Sequence, residues 1–483
     1  MKFINIKYLL FGILAISAFG CDLLDPTEVV NPNLTEETVL NTPNPTSPLV
    51  NGVRRQAAIL TNAHVPISEI ASDNYDNTQT FYNQNMDDLV IRPTDADMNT
   101  LNQQVARLRE LAMYGLQTVV PQDPDATAEQ IAELHFWKGY AFMLSSELFS
   151  SLPIEPEGEA VSSSVIADSA LKEMNIVISQ GGSQTDLMAS AQLASARIHR
   201  AQGNKMEAVD FAQSAINTSP DLILYIEFDQ QNGPLNTMQT ALVDRGTFDD
   251  FQVLPRMDFL DPKYYFRGAN QASPVAVLKI EEAHLIIAEA LLSDQDLTAG
   301  ISKLRDVINV VDSRPVESFS NQQQDRTQRS PGSRPDSTDI EVAASPTDSL
   351  RSGLVLYRKG DPISVPTVSG TSVDNDYLDN VTTLDGALET LYLIRQEVFI
   401  GEGRRIMDMG VKFVIGEIEY LSNPNIDPSD PGVSPVIPSF IDNVRTELDD
   451  FTYDPEAREA VILHDLNRIL VENKTSPYVL PFE

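Results

Sequence analysis

"SAQLASARIHRAQGNKMEAVDFAQSAINTSP" (residues 190–220) decides the fold of this chain. Ala196, Ala208, Ala215 and Pro220 fall at the offsets of a tetratricopeptide helix pair, with Gly203 in the turn between the helices. Small residues at those points let two helices approach closely. The same offsets recur in "EEAHLIIAEALLSDQDLTAGISKLRDVINVV" (281–311), where Ala288, Gly300 and Val307 take the corresponding places. The copies are not tandem, and Gln192 and His199 stand where the repeat carries large aromatics. Two copies on one pattern predict a mainly α fold, a helical repeat scaffold with long inserted loops. Alanine-rich helical hairpins of no repeat type are the alternative.

Outward from these hairpins the chain alternates helical patterns with polar stretches. In "IAELHFWKGYAFMLSSELF" (131–149), Leu134, Trp137, Ala141, Leu144 and Leu148 recur at steps of three and four, the spacing of one apolar helix face. Residues 22–48, rich in Asp, Asn, Thr and Pro, read as an extended leader. Residues 312–376, including "SRPVESFSNQQQDRTQRSPGSRPDSTD", have the composition of a mobile loop or insertion. "SNPNIDPSDPGVSPVIPSF" (422–440) is a further irregular stretch. "DPEAREAVILHDLNRILVEN" (454–473) then predicts a last helix with Asp454 as cap and Pro455 in its first turn.

The N-terminus sets the compartment. Lys2 and Lys7 precede an apolar run from Tyr8 to Phe19, and Ala18 and Gly20 are small residues just before Cys21, the only cysteine. That is the layout of a signal peptide, too short to span a bilayer comfortably. A lone thiol in an exported chain has no intrachain disulfide partner, which lipidation of Cys21 explains. An ordinary signal peptide with a chance cysteine is the alternative. The domain division is then signal peptide 1–20, lipidated start and leader 21–48, and one helical domain over 49–483.

Composition narrows the function. The 483 residues carry 70 acidic against 34 basic side chains, a formal charge of -36, which argues against nucleic acid or an anionic membrane surface as partner. His64, His135, His199, His284 and His464 are scattered without metal spacing, so no metal or other cofactor is expected. No phosphate-cradling GxxxxGK[ST] and no GxSxG elbow occur. "DNDYLDN" (374–380) lacks the EF-hand pattern and reads as a solvated acidic turn. In "ETLYLIRQEVFIGEGRRIMDMG" (389–410), Arg395, Glu397, Glu402, Arg404, Arg405 and Asp408 interleave with apolar residues, predicting an internal ion-pair network rather than catalysis.

Together these stretches resemble the SusD/RagB family of surface lipoproteins: "CDLLDP", "AELHFWKGYAFMLSSELFSSLPIEP", "ASARIHRAQGNKMEAVDFAQSAI", "KIEEAHLIIAEALL" with "AGISKLRDVIN", and "IRQEVFIGEGRRIMDM". The last is the most specific, with Glu402, Gly403, Arg405 and Asp408 in place. Departures are the bulky Phe19 two before the cysteine, the long 312–376 segment and the ending "YVLPFE". The resemblance implies a tetratricopeptide-containing SusD-like fold and a non-catalytic lipoprotein on the outer membrane. Such a protein binds oligosaccharides and passes them to a SusC-like TonB-dependent transporter. A peptide ligand, a surface glycoside hydrolase and a protein scaffold are the alternatives. Sugars stack on aromatic faces while polar side chains bond their hydroxyls. With Trp137 committed to the helical stripe, the platform is expected in "SDNYDNTQTFYNQN" (72–85): Asp73, Asn74, Tyr75, Asn77, Phe81 and Tyr82. The alternative is a polar turn whose aromatics pack inward. "DPKYYFRGA" (261–269), with Tyr264, Tyr265 and Arg267, is a weaker candidate.

Overall fold

The computed structural model describes residues 40, 42–77, 83–180, 184–244, 251–270, 272–320, 334–357 and 362–483. Cys21 and its flanks, Phe81 and Tyr82 lie outside the described residues, as do the side chains of Tyr265 and Arg267. Ten longer helices build the body: α1 (Thr46–Ile70), α2 (Ala96–Tyr114), α3 (Ala128–Leu148), α4 (Ser163–Gln180), α5 (Thr185–Ala201), α6 (Lys205–Thr218), α7 (Ile280–Ser293), α8 (Leu297–Asp312), α9 (Leu384–Val398) and α10 (Leu466–Glu472). Each packs on the next in sequence, from α1 through α10, and α7 also bears on α9. This is the serial stacking of a helical repeat protein.

The helices form where the sequence gives both a start signal and an apolar face. Thr127 caps α3 through a reciprocal box: its hydroxyl accepts from Gln130 N at 3.2 Å, and Gln130 Oε1 accepts from Thr127 N at 2.9 Å. All five residues of the expected stripe are at most 5 % exposed. Phe136, Gly139, Tyr140 and Met143 are buried as well, so α3 is enclosed nearly all round between α2 and α4. In the α5/α6 hairpin Ala196, Ala208 and Ala215 are fully buried, and Gly203 turns the chain at φ +74°. In α7/α8, Ala288 and Val307 are fully buried, and a Cβ on Gly300 would stand 2.4 Å from Leu292 Cδ2. Both hairpins expected from the alanine spacing are present.

Short strands join the helices: β1 (Tyr75–Asn77), β2 (Ser151–Pro153), β3 (Ala160–Ser162), β4 (Ile223–Ile226), β5 (Phe251–Val253), β6 (Val275–Lys279), β7 (Val316–Ser320), β8 (Glu341–Ala343), β9 (Pro362–Pro366), β10 (Phe451–Asp454) and β11 (Glu459–Ile462). β1 pairs β5, β2 pairs β3, β4 pairs β6 and β7 pairs β9, all antiparallel. β11 lies between β10, antiparallel, and β8, parallel. Three of these strands lie in the segment 312–376, which therefore carries ordered structure that its polar composition conceals.

The expected last helix is corrected in its first half. Asp454 ends β10 and its carboxylate accepts the Glu456 and Ala457 amides at 2.9 and 3.0 Å, so Pro455 sits in a hairpin turn. The physical reason is the alternation that follows: Ala460 and Ile462 are buried, and β8 offers residues 459–461 an edge to pair with. The true helix, α10, begins after Asp465, whose carboxylate accepts from Asn467 N at 3.1 Å. "DNDYLDN" forms one helical turn, Asn375–Asp379, capped by Asp374.

Candidate functional site

The expected platform turns inward. Asp73 is 1 % exposed and receives Arg405 Nε and Nη2 at 2.6 and 2.9 Å, Gln396 Nε2 at 2.9 Å and Arg256 Nη2 at 3.4 Å. Asn74, fully buried, donates to Glu69 Oε2 at 2.8 Å and accepts from Gln396 Nε2 at 3.0 Å. Tyr75 packs its ring 6.1 Å from that of Phe251, and Asn77 is 5 % exposed. Asp73, Asn74, Tyr75 and Asn77 thus build the interior, which corrects the expectation that they face a ligand. The cause is electrostatic: two guanidinium groups enter the core from other segments, and only an equally buried carboxylate can balance them. Tyr264, the weaker candidate, is also inside, its hydroxyl donating to Gly401 O at 2.8 Å.

The block 389–410 forms the ion-pair network expected of it. Arg395 grips Asp408, with Nη2 to Oδ1 at 2.8 Å; Arg404 reaches Glu282 at 2.6 Å; Glu402 receives Lys279 Nζ at 2.8 Å and also Lys263. Glu397 accepts from Ser372 N, Ser372 Oγ and Thr371 Oγ1 at 2.8, 2.6 and 2.7 Å. Burial pushes Asp408 up, but Arg395 and Arg200 outweigh it and hold it below the ordinary carboxylate range. Burial raises Glu69 to about 7 against the donors Asn74 and Gly403. Gly403 sits at φ +70°, and a Cβ there would come within 2.8 Å of the His64 ring. These groups are enclosed and paired with one another through at least one charge-assisted or hydrogen bond each, so their work is to hold α1, α7 and α9 together.

An open groove of about 690 Å³ lies instead where α1, α3, α5 and the β4 segment meet. The half-buried Leu187, Leu224 and Tyr225 supply its apolar surface over the buried Trp137 and Phe228; Asn51, Arg54, Arg55, Asp186 and Asn232 supply polar groups. Trp137 Nε1 donates to Glu133 Oε1 at 3.1 Å, and Glu133 holds Arg54 by Nε and Nη2 at 2.5 and 2.6 Å. A bidentate pair fixes the guanidinium plane at the groove wall. The opposite wall is a shaped turn: Asp229 accepts the Gln231 and Asn232 amides at 2.8 and 3.1 Å, Gly233 takes φ +68°, and Arg55 donates to Gly233 O at 3.3 Å. Apolar faces beside amide, carboxylate and guanidinium groups can cover the ring of a sugar while bonding its hydroxyls.

Trp137 does both jobs that its position allows. Its ring belongs to the buried stripe, as its spacing predicts, and its indole edge reaches the groove. The sequence reading missed Arg54, Glu133, Tyr225, Phe228 and Asn232, which come from three separate segments. The one local signal was "YIEFDQQNGP" (225–234), aromatics alternating with acids before an Asn-Gly-Pro turn. A second cavity, of about 670 Å³, is floored by Arg197, Arg395, Arg404 and Lys412. Its charges are largely committed to one another, Arg197 to Glu147 at 2.6 Å by two bonds and Arg395 to Asp408, so it continues the structural network.

Solved structures resemble this chain over most of its length. A SusD superfamily protein from Bacteroides fragilis superposes with a TM-score of 0.51 at 13 % identity, over 80 % of this chain and 100 % of its own. A SusD-like protein from Bacteroides fragilis NCTC 9343 gives 0.53 at 9 % identity, over 81 % and 98 %. A protein from Bacteroides vulgatus ATCC 8482 to which a sugar-binding role is ascribed gives 0.53 at 10 % identity, over 81 % and 98 %. No family profile and no curated protein sequence matches the chain. At these identities the shared property is the fold.

Proposed function

We propose that this chain, whose fold is the SusD-like one, is a lipid-anchored, non-catalytic surface protein that binds oligosaccharides and passes them to a partner TonB-dependent outer-membrane transporter. The observation that carries the ligand class is the groove: Tyr225 and Leu224 beside the fixed Arg54–Glu133 pair and Asn232, backed by the buried Trp137 and Phe228. The sugar-binding role ascribed to one structural neighbour supports the same class. No described helix is long and apolar enough to cross a membrane, and attachment is assigned to acyl chains on Cys21. The strongly acidic composition disfavours nucleic acid as partner.

The test is titration calorimetry of the chain truncated just after Cys21 against panels of oligosaccharides and peptides, with the mixtures checked for cleavage products. Saturable glycan binding without cleavage is expected. Arg54→Ala and Tyr225→Ala each weaken it by about tenfold or more, the cost of one well-placed contact. Peptide binding lost in the same variants would change the ligand class and keep the groove. Cleavage, or glycan affinity untouched by both substitutions, overturns the reading.

A further inference from the structure

Three carboxylates from distant segments converge at one edge of the β1/β5 pair. Asp76 lies on β1, Asp87 closes the short helix Gln84–Asp87, and Asp449 precedes β10. One oxygen from each lies within 4.8 Å of the other two. Calcium bonds to oxygen at about 2.3–2.6 Å, so an ion seated between three such atoms comes within roughly 2.8 Å of all of them with the backbone as it stands.

The cluster differs from the many solvated acids on this chain in two ways. All three residues are partly enclosed, and Asp449 Oδ2 has neither solvent contact nor a hydrogen-bond donor. The backbone amide of Asn77, next to Asp76 on β1, donates to the Asp87 carboxylate and holds the two acids close together. Buried polar atoms are nearly always satisfied, so an enclosed carboxylate oxygen with no donor, set among two further carboxylates, points to a missing ligand. Asp88 and Asp450 add further negative charge close by.

We propose that Asp76, Asp87 and Asp449 bind a divalent cation of the calcium class. The donors are all hard oxygens, with no His or Cys among them, which selects against zinc and copper. They come from a short strand, a one-turn helix and a loop rather than a rigid octahedral cage, which favours calcium over magnesium. The ion ties the loop before β10 to β1, joining two regions more than three hundred residues apart in sequence. This site is separate from the Trp137 groove, and its failure would leave the glycan reading intact.

The experiment is calorimetric titration and thermal unfolding of the full chain after removal of metal by EDTA, using CaCl₂ and, for comparison, MgCl₂. One saturable calcium site is expected, with a melting temperature raised by a few degrees when free calcium is about 100-fold above Kd. Magnesium should act at least tenfold more weakly. The double variant Asp87→Asn/Asp449→Asn should lose both responses while melting no lower than metal-free wild type, since amides remove the repulsion. Asp449→Asn alone should bind at least tenfold more weakly, which keeps the test open if the double variant does not fold. Absence of saturable binding to wild type, or a calcium response that survives these substitutions, overturns the proposal.

Discussion

Removing the carboxylate of Asp73 would leave Arg405 and Arg256 facing one another in the interior, where they are 2 % and 4 % exposed. A buried charge deprived of its partner costs about 3–5 kcal/mol, so Asp73→Ala should lower the denaturation midpoint by a corresponding amount. The stretch 72–77 was legible as polar and aromatic, but not as internal, because its partners Arg256, Gln396 and Arg405 stand far along the chain. His64 gives a second residue-level prediction. It is fully enclosed, and burial, reinforced by Arg197, lowers its pKa to about 3, against 6.5 for the free side chain. Its neutral form stabilises the fold fully above pH 6.5, and that stability is lost as pH falls toward 3, because only the unfolded chain takes up the proton. Unfolding free energies measured from pH 7 to 4 should therefore fall less steeply in His64→Gln than in wild type, by up to about 1.4 kcal/mol per pH unit.

Among the elements, the two helical hairpins were readable because close packing of helices demands small residues at fixed offsets, and Ala196, Ala208, Ala288 and Gly300 meet that demand locally. Gly300→Ala should overpack against Leu292 and destabilise the protein by about 1–3 kcal/mol. Leu292→Ala in the same chain should recover part of that loss, and the double-mutant cycle in denaturant titrations gives the coupling. The hairpin β10/β11 was not readable in the same way. A cap-like Asp454 and Pro455 also suit a tight turn, and what decides between helix and strand is the edge of β8, contributed by residues 341–343. Segment 312–376 hid its strands for a related reason: β7 and β9 find each other across an intervening polar stretch.

For the whole molecule, the fold class was visible in periodicity, whereas the groove was not. Arg54, Glu133, Trp137 and Tyr225 are brought together only when α1, α3 and β4 have packed, and no spacing within one segment announces that meeting. The acidic trio at Asp76, Asp87 and Asp449 is hidden by the same long-range assembly. The Asp73–Arg405 pair shows this dependence inside the core, since its two halves stand 332 positions apart. A polypeptide delivered from its N-terminus offers the carboxylate early and the guanidinium only near the end of delivery. Until then the turn after α1 has only the longer charged contact from Arg256 at 3.4 Å, and the bidentate pair with Arg405 is missing. A fragment ending short of residue 405 therefore keeps Asp73 without its two shortest ion-pair bonds, whereas the whole chain closes over them.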